Sequence, residues 1–314
     1  MAPTLLIAGA TGNTGRGVVE TLSKLLKTSQ TFQGHRIVAL TRSSKSPAAQ
    51  QLAQLPNVDV VELNWIEITP DWLREQEVVR AFIASHNEPN QFAEESTFHV
   101  AALRAGVKYV VRISTTAANV HPDCNVYYPR THWAIETMLS SSEFKNLQWT
   151  SLQANVFSNF YLSNAVEFVK KYRKHGKQGI LSLMASPDAP VGIIDPHDVG
   201  IVAAHLLLQG DPTAHNKAKY VLNGPEDITG NQIVKLVEEH IGAKVENVIY
   251  KDLSFIEQMA AASKQSTNVI LSLKYALDTA WEGMCTASTT SKEILDLAAP
   301  KQTPADAFRQ MLEE

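Results

Sequence analysis

Apolar positions along this chain follow two alternating rhythms. Short, nearly continuous apolar runs are separated by longer stretches in which apolar residues return every three or four positions. The first rhythm predicts buried strands and the second amphipathic helices. Strands are expected at 5–8, 35–40, 58–63, 78–84, 107–113 and 148–152. Helices are expected at 18–26, briefly at 46–55 and 72–76, and at 92–105. In that last helix Phe98, Ala101, Ala102 and Ala105 share a face and Gly106 is the C-cap. A further helix is expected to start near Pro129, a favoured first-turn residue, and to run through Leu139. Strands alternating with helices in this way predict a parallel sheet covered on both faces.

Beyond residue 165 the pattern loosens. Strands are expected at 180–183, 191–194 and 219–222. Asp195 or Asp198 should stand at the N-terminus of a helix over 199–208, and Thr229 should cap a helix over 232–241. Residues 251–314 read as mostly helical, with a tail helix at 306–312.

The first strand ends in glycines. Leu5 to Ala8 lead into Gly9, with Gly12 and Gly15 following at intervals of three, and the apolar helix pattern begins at Val18. A strand turning through glycines into a helix lets backbone N–H groups and the positive helix end face a pyrophosphate. Gly9, Thr11, Gly12, Asn13, Thr14 and Gly15 are therefore assigned to a dinucleotide cradle. The fold expected is a Rossmann-type doubly wound parallel sheet over 1–155. A smaller, mostly helical α+β substrate-binding region should occupy 156–314, with the chain crossing back to the sheet near 191–222.

The expected strand ends at Gly9, Arg42, Asn64, Ser85 and Ser114 lie on one edge of that sheet, where open α/β folds place ligands. At the tip of the second strand an NAD site carries an acid, which would repel a 2′-phosphate. Here the tip carries Arg42, followed by Lys45. A solvated basic loop would look the same, but the upstream cradle favours a 2′-phosphate site and hence NADP(H). Ser85 and His86 fall where the adenosine half of the cofactor would lie.

Composition narrows the function by exclusion. The 314 residues are 44% hydrophobic and 19% charged, with a net charge of −4 and no basic cluster of the kind nucleic-acid binding needs. Two cysteines are too few for a disulfide scaffold or a thiolate zinc site. No metal-ligating set stands out, since His197 alone makes none. No apolar run is long enough to span a bilayer and no targeting segment is evident, so a cytoplasmic protein is the expectation.

Candidate chemistry centres on Tyr128 and His132, four residues apart, with Ser114 at a strand end. A phenol that gives its proton to a developing alkoxide, a neighbour that lowers its pKa and a hydroxyl suit carbonyl reduction. A packed tyrosine with a polar histidine on a solvent-facing turn fits the same residue types equally well. Downstream, Asn155, Phe157, Phe160 and Tyr161 follow the sixth strand. They suit a substrate pocket near a nicotinamide, together with Tyr127, or simply the apolar start of a helix.

Several segments together resemble the NmrA-like group of atypical short-chain dehydrogenases. These are Gly9 to Gly15, Thr41-Arg42-Ser43, residues 101–108, His132-Trp133-Ala134-Ile135-Glu136, Asp198-Val199-Gly200 and Asn223-Gly224-Pro225-Glu226. The resemblance implies either an NADPH-dependent reductase of quinones, dyes or natural-product carbonyls, or an NAD(P)-binding redox sensor acting on a protein partner without turnover. Three positions depart from the group's pattern. His132 stands where the wider superfamily has lysine in Tyr-x-x-x-Lys, Asn64 where an aspartate near the adenine is frequent, and Gln153 where an arginine is frequent. A histidine is only partly charged near neutral pH, unlike lysine. The expected function is hydride transfer from NADPH to an apolar carbonyl, enone or quinone. Tyr128, His132 and Ser114 would supply the proton chemistry, and Asn155 would stand beside cofactor and substrate.

Overall fold

The apolar runs of the first half form the interior of one sheet, whose two faces are told apart by side-chain parity. The computed structural model describes residues 2–313. Its strands are β1 (Thr4–Ala8), β2 (Arg36–Thr41), β3 (Val58–Glu62), β4 (Val78–Ile83), β5 (Tyr109–Ile113), β6 (Gln148–Ala154), β7 (Leu181–Ser182), β8 (Ala218–Leu222) and β9 (Val248–Ile249). Seven of them form one sheet in the order β3-β2-β1-β4-β5-β6-β8, all parallel. This is the doubly wound order in which the chain reverses direction between β1 and β4.

Helices α1 (Asn13–Leu26), α2 (Pro47–Leu52), α3 (Pro70–Glu75), α4 (Gln91–Ala105), α5 (Tyr127–Ser140), α6 (Ser158–Tyr161), α7 (Ser163–His175), α8 (Pro196–Leu207) and α9 (Gly230–Ile241) follow in chain order. Leu5 and Ile7 point to the face covered by Val18, Val19 and Leu22 of α1 and Val199, Val202 and Ala203 of α8. Leu6 and Ala8 point to the other face, under Leu73, Phe98, Ala102 and Ile135. The period of two in a fully buried strand is thus read out by two separate helix layers. A third core lies outside the sheet. There Leu162 and Val169, Leu181, Ile233, Val237 and Phe308 pack together, and the tail helix Pro304–Glu313 closes it.

The second half is interwoven with the first. Helix α8 returns to the sheet against α1, and β8 adds the last strand beside β6. Asp195 caps α8 by accepting from the His197 amide, whereas Asp198 accepts from the Lys301 and Gln302 amides and pins the C-terminal segment. Helix α9 starts with the expected Thr229, which forms a full capping box with Gln232. Two expectations are corrected. Residues 191–194 form no strand; Val191 and Ile194 make single bridges, to Ile228 and Phe157. Helix α5 starts at Tyr127, ahead of Pro129, so both tyrosines lie in its first turn.

The α1–α8 contact is close because glycine faces backbone. A Cβ on Gly200 would stand 2.6 Å from the Thr14 carbonyl oxygen and 2.8 Å from the Val18 nitrogen. Gly200→Ala is therefore expected to destabilise the protein by about 1–3 kcal/mol, whereas Gly179→Ala, with nothing within 4 Å, should cost no more than about 0.5 kcal/mol. Urea unfolding of the two variants separates them; equal midpoints would mean that the helices can part without cost.

Candidate cofactor and active site

The cradle forms because its glycines let two backbones touch. Gly9 holds φ +84°, in the left-handed region, and a Cβ on Gly15 would stand only 2.1 Å from the Gly9 carbonyl oxygen. Gly12 is the N-cap of α1. It supplies no side-chain cap, and no acid occupies the first turn. The first-turn N–H groups are left to an outside acceptor, and the macrodipole favours an anion there. Gly12 and Asn13 are exposed, while Thr14 and Gly15 are buried against the strand.

Next to the cradle, the tip of β2 folds into a tight turn. The Thr41 hydroxyl donates to the Ser43 carbonyl at 3.1 Å, accepts the Ser43 amide, and lies 3.5 Å from the Thr11 hydroxyl. Arg42 and Lys45 are exposed on this turn, and Arg42 makes no ion pair among the described residues. Asn64, at the end of β3, is exposed as well. An uncapped helix start beside an unpaired guanidinium has the donor set that a phosphorylated dinucleotide requires.

The ends of β4 and β5 rest on a buried charge network that sequence reading does not reveal. Arg112 of β5 is fully buried and uses its whole guanidinium. Nε donates to Glu95 Oε1 of α4 at 2.6 Å, one terminal nitrogen to the Ser151 hydroxyl at 2.9 Å, and the other to His132 Nδ1 at 2.8 Å. Glu136 of α5, also fully buried, stands 3.5 Å from the same guanidinium and 3.3 Å from Lys219. Burial opposes the charge on Glu95. The Arg112 charge and the His99 bond outweigh it and hold that carboxyl well below the usual range. Ser85 lies inside this network and gives its hydroxyl to Glu95 at 2.6 Å. His86 bonds Glu94 at 2.5 Å, beside the Trp65 ring.

His132 takes its state from this setting. Arg112 can only donate, so Nδ1 accepts and the ring proton sits on Nε2, which donates to the Asn87 side-chain oxygen at 3.1 Å. Burial, then the Arg112 charge, push its pKa down to about 3. The imidazole is neutral, and it holds the loop after β4. Tyr127 holds the same loop, its hydroxyl donating to the Asn87 carbonyl at 2.6 Å.

Tyr128 stands edge-on to His132 with ring centroids 6.4 Å apart and no hydrogen bond between them. Burial pushes its phenol up to about 12, against the pull of the Thr115 hydroxyl. The expectation that His132 lowers the phenol's pKa is thus corrected: the histidine carries no charge and faces away into the network. Ser114 lies at the end of β5, buried, with an Oγ that has no partner among the described residues.

Other expected site residues are dispersed. Asn155 is buried, and its amide nitrogen is taken up by Gly192, Asn223 and Cys285 at 2.9–3.0 Å. Its side-chain oxygen accepts from Val156 and Thr116, so it latches loops together. Phe157 packs into the α1–α8 core, whereas Phe160 is half exposed and meets Phe255 edge-on. The two rings thus stand in different surroundings. A cleft of about 80 Å³ lies instead between Thr116, Asn155, Asn223, Met284 and Cys285, beyond the ends of β5, β6 and β8. Ala276 and Thr279 hydrogen-bond Asn119, and Ser272 accepts the Tyr127 amide. Arg112 was the visible clue to the network, an arginine inside the apolar run Tyr109-Val110-Val111-Arg112-Ile113. Its partners come from distant segments.

Sheet order and glycine cradle define a Rossmann-like α/β protein. A model of the NmrA-like family matches residues 1–283, and the chain belongs to that family. A curated relative, the (4-alkanoyl-5-oxo-2,5-dihydrofuran-3-yl)methyl phosphate reductase of Streptomyces griseus subsp. griseus, is 29% identical over 146 residues. That match takes in 46% of this chain and 46% of the relative, so the chain spans about half the length of the curated relative it matches. Among solved structures, an Escherichia coli NADPH-dependent quinone oxidoreductase complexed with NADPH superposes with TM-score 0.72 at 22% identity, covering 98% of this chain and 99% of that one. A Citrobacter sp. triphenylmethane reductase complexed with NADP(H) superposes with TM-score 0.67 at 19% identity, covering 98% and 100%. NmrA, a negative transcriptional regulator in complex with NADP, superposes with TM-score 0.65 at 16% identity, covering 99% and 91%.

The neutral state of His132 has a measurable consequence. Below about pH 6.5 the unfolded chain binds a proton that the folded site refuses until about pH 3, so stability is full above 6.5 and falls as the pH drops. His99, also lowered by burial, adds in the same direction. His132→Asn is expected to cost about 1–3 kcal/mol at neutral pH through broken hydrogen bonds. It should also flatten the acid limb by about one proton, roughly 1.4 kcal/mol per pH unit. Urea unfolding from pH 7 to 4 measures this; an unchanged limb would place the proton elsewhere.

Proposed function

We propose that this protein is an NADPH-dependent reductase of small apolar carbonyl, enone or quinone compounds. The observation that carries this reading is the pairing, on one sheet edge, of the cradle and unpaired Arg42 with the phenol of Tyr128 and the orphaned hydroxyl of Ser114. Gly9, Thr11, Gly12, Asn13, Thr14 and Gly15 would hold the pyrophosphate, and Arg42 and Lys45 the 2′-phosphate. Asn64 and His86 would lie by the adenosine. The cofactor, when bound, supplies a hydride. Ser114 offers its unpaired hydroxyl to the substrate oxygen. Tyr128, protonated at neutral pH, gives its proton to that oxygen as charge develops, because an alkoxide is a stronger base than a phenolate whose acid lies near 12. His132 stays outside the proton path and positions the Asn87 loop. The two reductases and the quinone oxidoreductase among the similar proteins support this reading.

A second reading is a cofactor-binding sensor that acts on a protein partner without turnover. The absence, among the described residues, of a charged neighbour hydrogen-bonded to Tyr128 favours it, as does the likeness to a transcriptional regulator solved with NADP.

Consumption of NADPH by the purified protein, followed against a panel of quinones and carbonyls, separates the two. The reductase reading expects turnover with at least one member. It expects Tyr128→Phe to cut that turnover by about 10²- to 10⁴-fold while calorimetry shows unchanged NADPH affinity. No turnover, with tighter binding of oxidised than reduced cofactor, would establish the sensor instead.

A further inference from the structure

The turn that carries Arg42 also holds a group of opposite charge, contributed by the neighbouring strand. Glu62 ends β3 in register with Thr41 of β2. Its Oε2 accepts both the Ser44 amide, at 2.9 Å, and the Ser44 hydroxyl, at 2.6 Å. Its Oε1 meets no protein donor among the described residues, and the side chain is exposed. Lys45 lies close enough to stabilise the carboxylate further. One short turn thus presents an unpaired guanidinium, two donors already committed to a carboxylate, and a carboxylate oxygen with spare capacity.

The two forms of the dinucleotide differ only at the ribose 2′ position, and they ask for opposite chemistry. A 2′-phosphate needs cations and hydrogen-bond donors, whereas a 2′-hydroxyl needs an acceptor. A phosphate reaching Arg42 meets the Glu62 charge and has to compete with it for the Ser44 donors. A hydroxyl at the same place finds a free oxygen. NAD sites ordinarily carry their acid at the tip of the second strand. Here that tip has none, and the acid arrives through the fold from β3.

We propose that Glu62 and Arg42 are an opposed pair that sets cofactor choice. Arg42 draws in the 2′-phosphate, while Glu62 limits that preference and accepts the 2′-hydroxyl of the unphosphorylated form. The proposal rests on the assignment of the Arg42 turn to the ribose end of the cofactor. The protein then binds both cofactors, with NADPH ahead by a margin that Glu62 keeps small.

Glu62→Gln is the discriminating change. The glutamine oxygen still accepts from Ser44, so the turn keeps its shape while the charge goes. NADPH and NADH are titrated calorimetrically into the wild-type protein, Glu62→Gln and Arg42→Ala. Glu62→Gln is expected to tighten NADPH by about 3-fold and to weaken NADH by a similar factor, the size expected of one screened surface charge. Arg42→Ala is expected to shift the ratio the other way. Unchanged or weaker NADPH binding in Glu62→Gln, with Arg42→Ala still selective, would overturn the pair and leave Glu62 as a staple for Ser44. Equal losses for both cofactors in Arg42→Ala would overturn the ribose assignment itself, and the pair with it.

Discussion

A guanidinium sealed inside the sheet is the constraint on which the site depends. Arg112 has no access to water, so every one of its donors has to find a protein acceptor, and the acceptors come from three separate segments. Glu95 brings α4, His132 and Glu136 bring α5, and Ser151 brings β6. Lys219 of β8 completes the charge balance from the rim. A buried ion pair adds little stability relative to an apolar substitute, yet removing one partner strands the other charge at a cost of about 3–5 kcal/mol. The arrangement therefore works through specificity of placement. It fixes which face of α5 looks inward, and with that where Tyr127, Tyr128 and the loop after β4 stand.

The second constraint is backbone contact. Gly9 against Gly15 brings the first strand and helix together, and Gly200 against Thr14 and Val18 brings α8 onto α1. Both contacts lie close to the cradle. The segment after the sheet's sixth strand thus returns to support α1, the helix that the cradle opens. The cradle and the second half of the chain are joined through a few glycines rather than through a separate interface.

Two histidines beside the site illustrate why residue type underdetermines role. A histidine four residues after a tyrosine reads from sequence as an acid–base neighbour. In the fold, Arg112 claims Nδ1, the proton goes to Nε2, and burial removes the charge. His86, expected along the adenosine, is tied to Glu94 near the Trp65 ring. Asn155 and Phe157 were legible as residues near a sheet edge, but their side chains serve latching and core packing.

Sequence alone determined the parts of the protein that depend on local pattern. Apolar periodicity marked the strands through β6 and the helices α1, α4, α5, α8 and α9 but not the 13-residue α7, glycine spacing marked the cradle, and Arg42 stood out at a strand tip. These signals survive in one dimension because strand pitch, helix pitch and turn sterics act over a few residues. Tertiary structure decided what long-range pairing alone can decide. It placed Glu62 beside Ser44 and gathered Arg112, Glu95, His132 and Glu136 from distant segments. Charge state and hydrogen-bond direction follow from neighbours in space, and no local spacing in the chain encodes which neighbours those are.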